Sequence, residues 1–148
     1  MPAPYSQLAV FLGRPGADGV IYGIGTDLVA IERTHALWQR HGERAMEKLL
    51  APEERGNCRD HREPGRFLAK RFAAKEALGK ALGTGIRAPV LLPAIAVTHD
   101  ALGKPAFAYA TELADWMQQR RLVAHLSLSD EAGQALAFVV VEQLPEQT

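Results

Sequence analysis

The stretch FAAKEALGKALGTG, Phe72 to Gly85, sets Glu76 and Lys80 one helical turn apart, beside Ala69, Ala73 and Ala77, with Gly79 between them. One reading is a surface ion pair at i,i+4, worth only about 0.2–0.5 kcal/mol. A mid-helix glycine costs about 1 kcal/mol relative to alanine, which works against that reading. The other reading is that small neighbours clear space beside the pair. A carboxylate with a nearby lysine can hold a divalent cation and a phosphate, the usual parts of phosphoryl transfer. One carboxylate is not enough for the cation, and GIGTD offers a second in Asp27. That residue is either a solvated turn aspartate or, ahead of the apolar run LVAI, a buried carboxylate needing a partner such as Mg²⁺. Gly23 and Gly25 allow close backbone approach. A dinucleotide fingerprint is excluded, because Leu28 stands where its third glycine belongs.

The elements that must position these groups follow from the pattern. VIYGIGTDLVAI, Val20 to Ile31, reads as a strand broken near Gly25-Thr26-Asp27. Helices are expected over Glu32 to about Arg40, over Glu43 to Leu50, and from Pro52 with Gly56 near the end. Pro64-Gly65 precedes a long helix from about Arg66 to Leu82, which Gly83, Gly85 and Pro89 stop. On a helical wheel Phe67, Leu68, Phe72, Leu78 and Leu82 form its core stripe, with Arg71 and Lys75 inside that stripe. A long cation there must snorkel or meet an anion. AIAVTHD and AFAYA read as strands joined by the turn ALGKP. TELADWMQQR is helical, with Thr111 as its cap. VAHLSLS and QALAFVVVE, joined by the turn SDEAG, make a hairpin. Helices in the middle and antiparallel strands at the end predict an α+β fold, an antiparallel sheet packed with a long central helix.

Composition narrows the function classes. The 148 residues suit one domain with a real core. Seventeen basic residues balance seventeen acidic ones, which argues against a non-specific nucleic-acid binder. No window is long and apolar enough to cross a membrane. The single cysteine, Cys58, rules out an internal disulfide and fits a reducing cytoplasm. His35, His41, His61, His99 and His125 show no metal-ligand spacing and read as structural or surface residues.

GIGTDLVAIER and RFLAKRFAAKEALGKALGTGIR together resemble the two signatures of the 4′-phosphopantetheinyl transferases, in the short bacterial branch. LLAPEE is similar to that family's Leu-Thr-x-x-Glu segment, ALGKPAF to its Gly-Lys-Pro turn, and AHLSLSDEAGQALAFVVVE to its closing hairpin. The likeness runs from about Ile21 to Glu142. Family members typically begin near Ile21, so residues 1–20 read as an extension, or an upstream start, ahead of one domain over 21–148. Asp130 is a departure, since many relatives carry histidine there.

The resemblance implies an enzyme of fatty acid biosynthesis, cytoplasmic and homotrimeric, with active sites between subunits. It would move 4′-phosphopantetheine from coenzyme A to a serine of apo acyl carrier protein and release adenosine 3′,5′-bisphosphate. It implies that Asp27 and Glu76 hold Mg²⁺ and that Lys80 meets the phosphate being cleaved, while Glu76 or a water on the metal takes the serine proton. Arg71 would meet a coenzyme A phosphate, and Lys75 either does likewise or is structural. Gly83, Lys104 and Pro105 would lie near the nucleotide, although Lys104 reads equally as an ordinary hairpin lysine. Acyl carrier proteins present an acidic helix beside their serine, and the helix after Asp27 offers Arg33, Arg40 and Arg44 to it. Two rivals make different demands. A Mg²⁺-dependent pyrophosphohydrolase needs Asp27, Glu76 and Lys80 but not these arginines. A non-catalytic carrier-binding module needs the arginines only.

Overall fold

In a computed structural model the structure describes residues 19–146. The expected leader therefore lies, up to residue 18, outside the described residues, and the first strand, β1, opens at Val20. β1 (Val20–Ala30) runs unbroken through Gly25-Thr26-Asp27, where the sequence pattern predicts a break. Its glycines do not end it. They let it approach a helix, as shown below. β1 passes directly into α1 (Ile31–His41), which Gly42 separates from α2 (Glu43–Leu49). α3 (Pro52–Asp60) opens on its proline and carries Gly56 at mid-helix, not near its end. The long helix α4 (Pro64–Leu82) also starts on proline, and Gly83 caps it with φ 78°, the left-handed conformation glycine tolerates best.

Beyond α4 a two-stranded sheet, β2 (Ile95–His99) and β3 (Pro105–Tyr109), leads into α5 (Thr111–Gln119). Thr111 is the first helical residue; Ala110 precedes it as the cap, so the expected side-chain cap is not formed. The chain closes with β4 (Leu122–Glu131) and β5 (Gln134–Gln143), whose pairing extends through Asp130 and Glu131. Only Ala132 and Gly133 turn, both at positive φ, the arrangement whose twist suits a two-residue hairpin.

β5 lies between β1 and β4, antiparallel to both, giving the order β1-β5-β4. Side chains alternate across it. Ala135, Ala137, Val139 and Val141 are buried toward α4, while Leu136 and Phe138 remain exposed on the other face. The α+β architecture with a long central helix on an antiparallel sheet is thus the observed one. α4 is buried on more than one side: Ala73, Ala77, Leu78 and Leu82 enter the core under the sheet, and Phe67 and Leu68 pack with Met46, Leu49, Leu50 and Cys58. The alanines expected to leave room for a ligand instead admit the sheet. A Cβ added at Gly25 would land on the Ala77 carbonyl oxygen, and one at Gly23 on that of Ala81. Gly79 makes room for backbone as well. Gly85 folds back over it, with its amide donating to the Gly79 carbonyl at 3.0 Å.

Candidate active site

Asp27 stands opposite Ala137 in the ladder, so it shares the α4-facing side of β1 with Gly25 and Val29. The glycine-mediated contact brings the last turns of α4 against this part of the strand. Lys80 Nζ donates to the Thr26 carbonyl at 2.8 Å and to Asp27 Oδ1 at 3.1 Å. The lysine side chain is 55% exposed and the aspartate 18%, so the ammonium faces solvent at the mouth of the site. Among the described residues Glu76 has no ion-pair partner, and the surface Glu76–Lys80 pair is not formed. Partial burial raises the Glu76 carboxyl above its ordinary value, the nearby Asp27 charge adds to the rise, and Lys80 opposes it.

Two carboxylates facing each other, one already resisting ionisation, are what a divalent cation would relieve. Their hard oxygens fit Mg²⁺, which usually takes one or two carboxylates and completes its shell with water and substrate phosphate. Among the described residues no group of three or more His, Cys, Asp or Glu is placed to hold a metal. The donor set fits Mg²⁺ shared with a phosphorylated substrate.

Arg71 and Lys75 point elsewhere. On a helical wheel each lies roughly 100–140° from Glu76. Lys75, 0% exposed, donates to Glu54 Oε1 at 2.6 Å, to the Leu49 carbonyl at 2.8 Å and to the Leu92 carbonyl at 3.1 Å. Of the two readings of Lys75, the structure shows the structural pairing. Burial pushes its ammonium down to about 8, against the pull of Glu54. Arg71 Nε lies 3.0 Å from Glu54 Oε2, and its guanidinium stacks 4.3 Å over the Phe67 ring. Read from the sequence as a phosphate ligand, Arg71 has an internal carboxylate and an aromatic face for partners instead. The sequence reading missed Glu54. Its signal was the two cations in an apolar stripe, which require an anion, and its place at the third position of α3, where it accepts the Ala51 amide at 2.9 Å.

The remaining predicted residues are spread over other elements. Gly83 ends α4 on the site side of the molecule, its amide donating to the Lys80 carbonyl at 3.1 Å. Lys104 belongs to the β2–β3 turn, which Asp100 organises by accepting the amides of Leu102 and Lys104 at 2.9 Å each, and Pro105 opens β3. Asp130 accepts from Arg66 at 2.6 Å and lies 3.4 Å from Lys70, so it ties the hairpin tip to the start of α4, and Arg66 holds its carboxyl below the ordinary range. Arg33 and Arg44 share a cavity of about 460 Å³ floored by Leu37, Phe72 and Leu92. Arg40 does not line it. Lys48, absent from the sequence reading, does.

Comparison with known proteins identifies the family and the fold. The family model of the 4′-phosphopantetheinyl transferase superfamily matches residues 23–139. A holo-[acyl-carrier-protein] synthase of Dechloromonas aromatica is 56% identical over 123 residues, covering 83% of this chain and 98% of the relative. The crystal structure of the Neisseria meningitidis holo-[acyl-carrier-protein] synthase superposes with a TM-score of 0.80 at 46% identity, covering 84% of this chain and 100% of that one. A Bacillus anthracis holo-(acyl-carrier-protein) synthase in complex with CoA (3′,5′-ADP) gives a TM-score of 0.69 at 34% identity, covering 83% and 97%. The chain belongs to the 4′-phosphopantetheinyl transferase superfamily. Within it the chain falls in the holo-[acyl-carrier-protein] synthase branch, and it is accordingly an enzyme, a phosphopantetheinyl transferase.

Proposed function

We propose that this enzyme transfers 4′-phosphopantetheine from coenzyme A to a serine of apo acyl carrier protein, releasing adenosine 3′,5′-bisphosphate, with Mg²⁺ held by Asp27 and Glu76. The convergence of these two carboxylates with Lys80, from a strand and a helix distant in sequence, carries the reading. The serine oxygen attacks the phosphorus bearing pantetheine, the pyrophosphate P–O bond breaks, and the bond electrons leave with the bisphosphate. Bound Mg²⁺ would supply neutralisation of the pyrophosphate charge. Lys80, half exposed at the mouth of the site, would exchange its Asp27 contact for the leaving phosphate. Glu76, or a water on the metal, would receive the serine proton. Lys104, on an exposed turn, is a second cation for the nucleotide phosphates.

Arg33, Arg44 and Lys48 around an apolar floor suit an acidic amphipathic helix, which supports docking of the carrier protein there, with Arg40 extending the basic stripe. The exposed apolar face of the β1-β5-β4 sheet supports a homotrimer with sites between subunits. No helix among the described residues is long and apolar enough to cross a membrane. We place the reaction in the cytoplasm, in fatty acid biosynthesis, consistent with a lone buried thiol, Cys58.

Intact mass of apo acyl carrier protein after incubation with this protein, coenzyme A and Mg²⁺ tests the proposal. A gain of one phosphopantetheine, lost with EDTA, is expected. Coenzyme A consumed while the carrier stays unmodified would instead establish a pyrophosphohydrolase.

A further inference from the structure

Lys75 and Glu76 are neighbours on α4, yet one is buried in an ionic cluster and the other faces Asp27. A buried ion pair is often matched or bettered by apolar residues of similar volume. What it supplies is direction, since charge-assisted hydrogen bonds fix geometry and apolar packing does not. All three ammonium donors of Lys75 are used: on the Leu49 carbonyl at the end of α2, on Glu54 in the first turn of α3, and on the Leu92 carbonyl ahead of β2. Glu54 is itself fastened by the Ala51 amide at 2.9 Å and by the Val97 amide of β2 at 3.0 Å. Three separate segments therefore grip α4 at Lys75, from the side away from β1, and β2 holds one of them through Glu54. On the β1 side the helix backbone rests directly on Gly23 and Gly25, which have no side chains.

We propose that Lys75 and Glu54 are positioning residues that fix the rotation and height of α4 so that Glu76 faces Asp27 at the separation one shared cation requires. The inference rests on the reading of Asp27 and Glu76 as the metal pair. Neither Lys75 nor Glu54 is a catalytic residue. Both act through Glu76, and a ligand pair must be held to within roughly 0.5 Å of its working geometry.

The test is Mn²⁺ affinity by electron paramagnetic resonance, with saturating coenzyme A and no acceptor, alongside thermal unfolding. Lys75→Met leaves Glu54 paired with Arg71 and is expected to fold. Removal of residues that orient metal ligands typically weakens metal binding about 10–100-fold, and a loss of at least about tenfold is expected here. Val139→Ala, in the core beneath the same helix, serves as a control for destabilisation alone and should bind Mn²⁺ within about twofold of wild type. Lys75→Gln, which keeps two amide donors, should fall between wild type and Lys75→Met, and it replaces Lys75→Met if that variant does not fold. Wild-type Mn²⁺ affinity in a folded Lys75 variant, or an equal loss in Val139→Ala, overturns the inference. Wild-type protein whose Mn²⁺ binding is untouched by Glu76→Gln overturns the two-carboxylate reading beneath it.

Discussion

Glu76 shows how a functional group opposes the stability of its own site. Burial and the Asp27 charge raise its carboxyl above the ordinary 4.5 in the folded state, so the folded protein binds that proton more tightly than the unfolded chain. Stability is therefore lost as pH rises through the folded-state value, and no penalty remains well below 4.5, where the group is protonated in both states. Without metal at pH 7.5, Glu76→Gln should raise the Tm by about 2 °C, an allowance that discounts for the group's partial exposure. At pH 4 the two melting curves should coincide. The same substitution should lower turnover by about 100-fold or more, read from the rate of carrier modification. A Tm difference that persists at pH 4 would detach the gain from ionisation. Tyr109 is a second residue-scale case, fully buried with no hydrogen-bond partner for its hydroxyl among the described residues. Tyr109→Phe should raise the urea midpoint, by the equivalent of about 1 kcal/mol, since it removes an unpaired polar group and keeps the packing. A lower midpoint would mean that the hydroxyl has a bound water for a partner.

The helix-to-strand contact is what brings residues of β1 and α4 into one site, and glycine makes it possible. Gly25→Ala would drive a methyl into the backbone of α4 at Ala77, where no flexible atom can yield. A loss of about 3 kcal/mol or more is expected in chemical denaturation, along with weaker Mn²⁺ binding, because strand and helix must part. Gly56→Ala is the matched contrast: nothing lies within 4 Å of the added methyl, so the interior of α3 should gain about 0.5–1 kcal/mol. This contact also marks where the sequence could be read and where it could not. Helix stops, strand alternation and the identities of Asp27, Glu76 and Lys80 are local signals, and the order and type of the elements follow them, although β1 runs through its predicted break, α3 runs past Gly56 and β4 runs into the predicted turn. The direction of a small-residue face is not local. Ala73, Ala77 and Gly79 read the same whether a ligand or a strand fills the space, and only the tertiary packing of β1 and Gly85 decides. Glu54 was hidden for the same reason, because its partners Arg71 and Lys75 come from a different helix.

At the scale of the molecule, one face of the β1-β5-β4 sheet has no neighbour among the described residues. Ile24 is 61% exposed, Leu28 57%, and Leu136 and Phe138 42% each, and the strand register sets them side by side on adjacent strands. A face of clustered aliphatic and aromatic side chains differs from scattered surface apolar residues, and in solution it marks an interaction surface. The opposite face is filled by α4, so among the described residues this surface packs against no other element of the subunit. Aspartate there should leave the subunit folded and break only assembly. For the proposed trimer, light scattering of the wild type should give three times the subunit mass. The double variant Ile24→Asp, Phe138→Asp should give the mass of one subunit, with an unchanged far-ultraviolet spectrum. If active sites lie between subunits, that monomer should retain less than about one hundredth of wild-type turnover although Asp27, Glu76 and Lys80 are intact. A monomeric variant at full activity would place the whole site within one chain. A wild type that is itself monomeric would leave the apolar face to some partner other than a second copy.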